Sequence, residues 1–168
     1  MMLRVLRLVV LAAAAALAAA PAYAGEKVEY SGDVSAGTIV VQTNERALYF
    51  VTGKGQAIKY PVGVGRAGQQ WSGTAMIDGK HVRPDWSPPA DIKRANPKLP
   101  NVIPGGSPRN PMGVAALTLS GSDYAIHGTN APGSVGGFVS HGCIRMYNQD
   151  ILDLFSRVSV GTAVVVTR

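Results

Sequence analysis

The chain has one cysteine, three phenylalanines and two tryptophans in 168 residues. A single cysteine leaves no internal disulfide, so whatever holds the fold together is ordinary packing. Acidic residues are scarce too, with 10 Asp and Glu against 16 Lys and Arg. The resulting net charge of +6 is spread along the sequence, and there is no basic run such as nucleic-acid binders carry. HExxH and CxxC, two common metal-site patterns, are missing as well.

The one long apolar run is at the start. Arg4 and Arg7 precede Leu8–Ala20, and Ala22-Tyr23-Ala24 follows as an A-x-A cleavage pattern. The run is short and mostly alanine, unlike the roughly 20 strongly apolar residues of a spanning helix. Residues 1–24 therefore read as a cleavable secretion signal, and residues 25–168 as a single domain. Loss of Arg4 and Arg7 takes the net charge from +6 to +4. The expected compartment lies outside a bacterial cytoplasmic membrane, in the periplasm.

In an oxidising compartment an unpaired thiol is either buried as a small apolar group or used as a reactive one. Cys143 sits in HGTNAPGSVGGFVSHGCIRMY (127–147), which also holds His127 and His141, two of the three histidines. Glycines at 133, 136 and 137 suit a loop that folds back and returns Ser140–Cys143 near His127.

The rest of the chain reads as support. TIVVQ (38–42), ALYFV (47–51) and AIKYPVGV (57–64) are β-rich segments forming two hairpins, with Gly53 and Gly55 supplying the second turn. Residues 84–111 carry eight of the eleven prolines. Regular structure is excluded there except for a short turn over 90–95. Trp86, Ile92, Leu99, Val102 and Ile103 give that excursion something to bury, so it is expected to pack on the sheet and wall a cleft. His81, just before it, reads as a surface residue.

Val114–Leu119 and Tyr124–His127 are expected strands, with His127 emerging at a strand end. Asn148 is placed to cap a helix presenting Ile151, Leu154, Phe155 and Val158 on one face. Thr162–Thr167 reads as a last buried strand. The fold class is β-rich α+β, a mixed sandwich-like sheet with one main helix.

Spacing alone leaves three readings of the cluster open. A histidine could take the proton of Cys143 and release a thiolate that attacks an acyl group. His127, His141 and Cys143 could instead bind zinc with a fourth position free. All three could also be structural.

At His127-Gly128-Thr129 and Ser140-His141-Gly142-Cys143-Ile144-Arg145-Met146 the sequence resembles the YkuD-type L,D-transpeptidases of bacterial cell walls. The likeness extends through LYFV, YPVGVGR (60–66), WSPP, NPMG (110–113) and GTAVVV (161–166), in that order. The resemblance implies that Cys143 attacks the third residue of a peptidoglycan stem tetrapeptide and expels the terminal D-alanine. It implies His127 as general base with Gly128 beside it, His141 as a local partner, and the Gly142 and Cys143 amides as oxyanion hole. Arg145, Ser140 and Thr129 fall where substrate contacts would be. For Arg145 a salt bridge to a nearby acid is an equally good structural role.

A neighbouring stem peptide would resolve the thioester into a 3→3 cross-link. Water, or an amine of an outer-membrane protein, would be other acceptors. The resemblance further implies no metal or cofactor, and carbapenem-type lactams as covalent inhibitors.

Overall fold

A computed structural model describes residues 24–168. The expected leader therefore lies, but for Ala24, outside the described residues. Among the described residues no helix is long and apolar enough to cross a membrane.

The β-rich segments form an antiparallel meander: β2 (Ile39–Gln42) pairs with β3 (Ala47–Gly53), and β3 with β4 (Gln56–Pro61). Positive φ at Gly53, Lys54 and Gly55 closes the second turn. The third segment is broken at Pro61, and its end becomes β5 (Val64–Gly65), which pairs in parallel with β9 (Phe138–Ser140) as a separate two-stranded sheet. An edge strand that the sequence did not announce, β1 (Glu26–Glu29), adds to β4.

The organising strand, β6 (Gly73–Val82), was also not read from the sequence. Its first half pairs with β11 (Ala163–Thr167) and its second half with β7 (Ala115–Leu119), with a register shift between Ile77 and Gly79. This bulge lets one strand serve two layers. The full order is β1-β4-β3-β2-β11-β6-β7-β8-β10, where β8 is Ala125–His127 and β10 is Ile144–Arg145. β11 runs parallel to β2, and β10 parallel to β8, so the sheet is mixed.

Alternation decides what lies between the layers. Ile39, Val41, Leu48, Ile58 and Tyr60 from the meander meet Ile77, Leu117, Leu119 and Ile126. The opposite face of the meander, Val40, Tyr49, Val51 and Ala57, is covered by Val28, Tyr30 and Val34.

The helix α2 (Asn148–Arg157) adds Ile151 and Leu154, both fully buried, with Val158 just beyond its end. Its cap differs from expectation, because Tyr147 is the capping position and makes no side-chain cap bond. Asn148 instead turns its Oδ1 to the Thr129 amide at 3.0 Å. At the other end Lys80 of β6 donates to the carbonyls of Phe155 (2.7 Å) and Val158 (2.5 Å), placing positive charge at the helix C-terminus.

The proline-rich excursion is ordered, as expected, and contains α1 (Ala90–Ala95). Trp86 and Ile103 exchange backbone hydrogen bonds at 2.9 and 2.8 Å. The buried Asn110 side chain donates to the carbonyls of Pro84, Ile103 and Pro104 and accepts from the Met112 amide. One side chain thus stands in for ladder bonds that the prolines cannot make. Ile103 is buried, whereas Val102, expected to be covered, is 47% exposed.

Candidate active site

Parallel pairing of β8 with β10 builds the site. Ile144 aligns with Ile126 and Arg145 with His127. Aligned residues on neighbouring strands share a face, and so do residues two apart. His127, Arg145 and Cys143 therefore emerge on one side. All three line a cavity of about 300 Å³, together with His141 and Ser140. Trp86, Pro89, Asp91 and Ile92 form the wall supplied by the excursion.

His127 is buried, and its Nδ1 lies 2.6 Å from the Gly128 carbonyl. A carbonyl only accepts, so Nδ1 carries the proton and Nε2 keeps its lone pair. Burial lowers the ring's pKa from 6.5 to about 4; the Gly128 and Pro111 carbonyls oppose that shift, and Arg145 adds to it. The imidazole is thus neutral at neutral pH and able to accept a proton.

Burial pushes the Cys143 thiol up, with the Ala125 amide and the Arg145 charge pulling the other way. Burial thus favours the uncharged form of each group, a thiol and an imidazole. Such a thiol becomes a nucleophile when a base takes its proton as it attacks.

Gly128 and Gly142 are required by their surroundings. A side chain on Gly128 would run into Asn148 and Ile151. Gly142 has φ +125°, and the Tyr124 ring occupies the place of a Cβ. Tyr124 stacks on Trp71, with ring centroids 5.5 Å apart and planes 21° from parallel. Trp71 Nε1 donates to the Gly142 carbonyl at 2.9 Å. Neither aromatic was singled out by sequence, since Trp71 lies 71 positions from its partner. A half-buried tryptophan needing an acceptor for its N–H was the available signal.

Three of the expected site residues have partners within the protein. Ser140 lines the cleft, and its Oγ donates to the Cys143 carbonyl (2.6 Å) and accepts from the Gly142 amide (3.1 Å), so its hydroxyl braces the loop. The same bond occupies the Gly142 N–H, which leaves the Cys143 amide as the one of the two expected oxyanion donors with no protein acceptor among the described residues. Thr129 does not line the cleft: its amide goes to Asn148 and its Oγ1 accepts from the Ala131 amide.

Arg145 remains in the cleft. It makes no ion pair among the described residues; NH1 donates to Ser134 Oγ at 3.1 Å. Its Nε is buried without a partner. His81 is exposed on β6, away from the cleft. Among the described residues no three His, Cys, Asp or Glu side chains come together as metal ligands.

The comparisons agree with this architecture. A family model, YkuD, described as the L,D-transpeptidase catalytic domain, matches residues 36–166. The chain is 40% identical over 139 residues to the probable L,D-transpeptidase YbiS of Escherichia coli (strain K12), a match covering 78% of this chain and 44% of that protein. It thus spans less than half the length of that relative.

Among solved structures, an L,D-transpeptidase from Mycobacterium smegmatis matches with a TM-score of 0.62 at 19% identity, over 78% of this chain and 58% of that one. The catalytic domain of the Enterococcus faecium L,D-transpeptidase, solved acylated by ertapenem, matches with a TM-score of 0.60 at 18% identity, over 81% and 100%. With the two layers, the helix α2 and the family match over 36–166 in agreement, the chain belongs to the YkuD family of L,D-transpeptidase catalytic domains.

Proposed function

We propose that this protein is a cysteine L,D-transpeptidase that cuts peptidoglycan stem tetrapeptides and joins them through 3→3 cross-links. The observation that carries the reading is the convergence of Cys143 and His127 on one cleft from adjacent parallel strands.

In the first half-reaction His127 Nε2 takes the Cys143 proton as sulfur attacks the carbonyl of the third stem residue. The amide of Cys143 receives the negative charge on oxygen. The tetrahedral intermediate collapses with loss of the C–N bond to D-alanine, whose nitrogen takes the proton back from His127. A thioester remains. In the second half-reaction the side-chain amine of a diamino acid on another stem attacks, gives its proton to His127, and leaves as the amide while the thiol is restored.

Gly128 holds the base through its carbonyl. His141 lines the same cleft and orients the bound chain. Arg145 supports substrate binding, because it lines the cleft and its Nε has no partner among the described residues. A substrate carbonyl or carboxylate supplies one. Secretion by the leader at residues 1–24 would place this chemistry in the periplasm, where the polymer is. Carbapenem-type lactams would acylate the same sulfur. An outer-membrane protein amine, or water, would use the same thioester.

Mass spectrometry of products from purified disaccharide-tetrapeptide tests the assignment. A cross-linked dimer with one D-alanine released is expected. Tripeptide alone would point to hydrolysis, and unchanged substrate would contradict the proposal.

The acid side of the pH profile follows from the neutral pair. Protonating His127 removes the base, and a pKa lowered to about 4 keeps the ring unprotonated over most of the range below neutrality. kcat/KM is therefore expected to hold through pH 6.5 and to fall only as pH approaches about 4. Half-loss near the ordinary histidine value, with circular dichroism showing the fold intact, would contradict this electrostatic picture.

A further inference from the structure

We infer that Trp71 is a positioning residue for this site: by holding the Gly142 carbonyl, its indole N–H aims the Cys143 amide at the oxygen that becomes charged on acylation. The inference rests on the reading of Cys143 as nucleophile.

The Gly142 carbonyl and the Cys143 N–H belong to one peptide unit. That unit is planar and trans, so its C=O and N–H point in opposite directions. Trp71 Nε1, 2.9 Å from the carbonyl oxygen, therefore fixes both at once. Without a clamp this would be the softest link in the loop, because glycine at φ +125° has no side chain to restrict it.

Tyr124 closes the other side. Its ring fills the space beside the Gly142 Cα and stacks on Trp71, so the two aromatics grip the peptide as a unit. The consequence is larger than for a loop with several spare donors. Ser140 Oγ already takes the Gly142 amide, and no acceptor among the described residues takes that of Cys143. Stabilisation of the oxyanion then falls on one N–H whose direction is set from the segment between β5 and β6.

Two reactions at the same sulfur separate this role from simple support of the fold. Acylation by a carbapenem passes through an oxyanion. Alkylation by iodoacetamide displaces iodide at a methylene carbon and forms none. Trp71→Phe keeps a ring against Tyr124 but removes the N–H, and Trp71→His returns an N–H on a smaller ring.

Losing an oxyanion donor outright costs about 10²–10³ in rate, so loosening one by W71F is expected to slow acylation at least tenfold while alkylation stays within about twofold of wild type. W71H is expected to regain part of the acylation rate. Acylation unchanged in W71F, acylation and alkylation falling in parallel, or no recovery in W71H would each overturn the inference. Wild-type protein that alkylates at Cys143 but never acylates would overturn the underlying reading of the nucleophile instead, so the two failures are distinguishable.

Discussion

Cys143→Ala is expected to release no D-alanine from a tetrapeptide and to leave the fold unchanged. The loss should be at least about 10⁴-fold, since removing a nucleophile leaves only what binding and the oxyanion donor contribute. The thiol is half-buried and the loop that carries it is held by the Ser140 hydroxyl, which donates to the Cys143 carbonyl and accepts from the Gly142 amide. Truncation to a methyl group leaves those bonds in place. Assay of D-alanine release beside circular dichroism and thermal unfolding checks both halves, and turnover comparable to wild type would remove Cys143 from the reaction.

His127→Asn is expected to have the second largest effect. Asparagine can still donate to the Gly128 carbonyl but cannot accept the thiol proton. General-base catalysis is worth about 10²–10⁴, so kcat should fall by that factor with little change in KM. Arg145 gains nothing from the substitution, because its own hydrogen bond runs to Ser134. Steady-state kinetics decide the point, and a kcat within about tenfold of wild type would mean that another group takes the proton.

Both substitutions concern residues that the sequence already brought together, and the reason is local. His127 ends a short strand, Cys143 precedes another, and a glycine-bearing loop joins them. Returning the chain over so few residues left parallel pairing of the two strands as a compact solution. The meander up to Pro61 is legible for a similar reason, since alternation of buried and exposed positions is a periodic signal, whereas the departure of Val64 and Gly65 to another strand is not. So was the apolar face of α2.

The features not legible in the sequence are those decided at long range. β6, GTAMIDGKHV, mixes glycines with charged residues because its two halves serve different layers and much of it is exposed. Its apolar pattern is accordingly weak, although it is the longest strand in the fold. Asn148 does not cap α2, because its oxygen accepts from the Thr129 amide, while Lys80 closes the far end from another strand.

Ser140 and Gly142 show the same limit within the site itself. Their residue types suit substrate binding and an oxyanion hole, but a hydroxyl two positions from an amide in a tight loop satisfies itself there first. Trp71 offers only an indole N–H in need of an acceptor. Its partner is a carbonyl, which every residue has.

The measurement that tests the central claim most directly is intact mass and peptide mapping after incubation with a carbapenem at neutral pH. One adduct is expected, on the peptide that carries Cys143, and none on the Cys143→Ala protein. An adduct mapped elsewhere, one that survives the substitution, or none on the folded wild-type protein would contradict a nucleophilic Cys143.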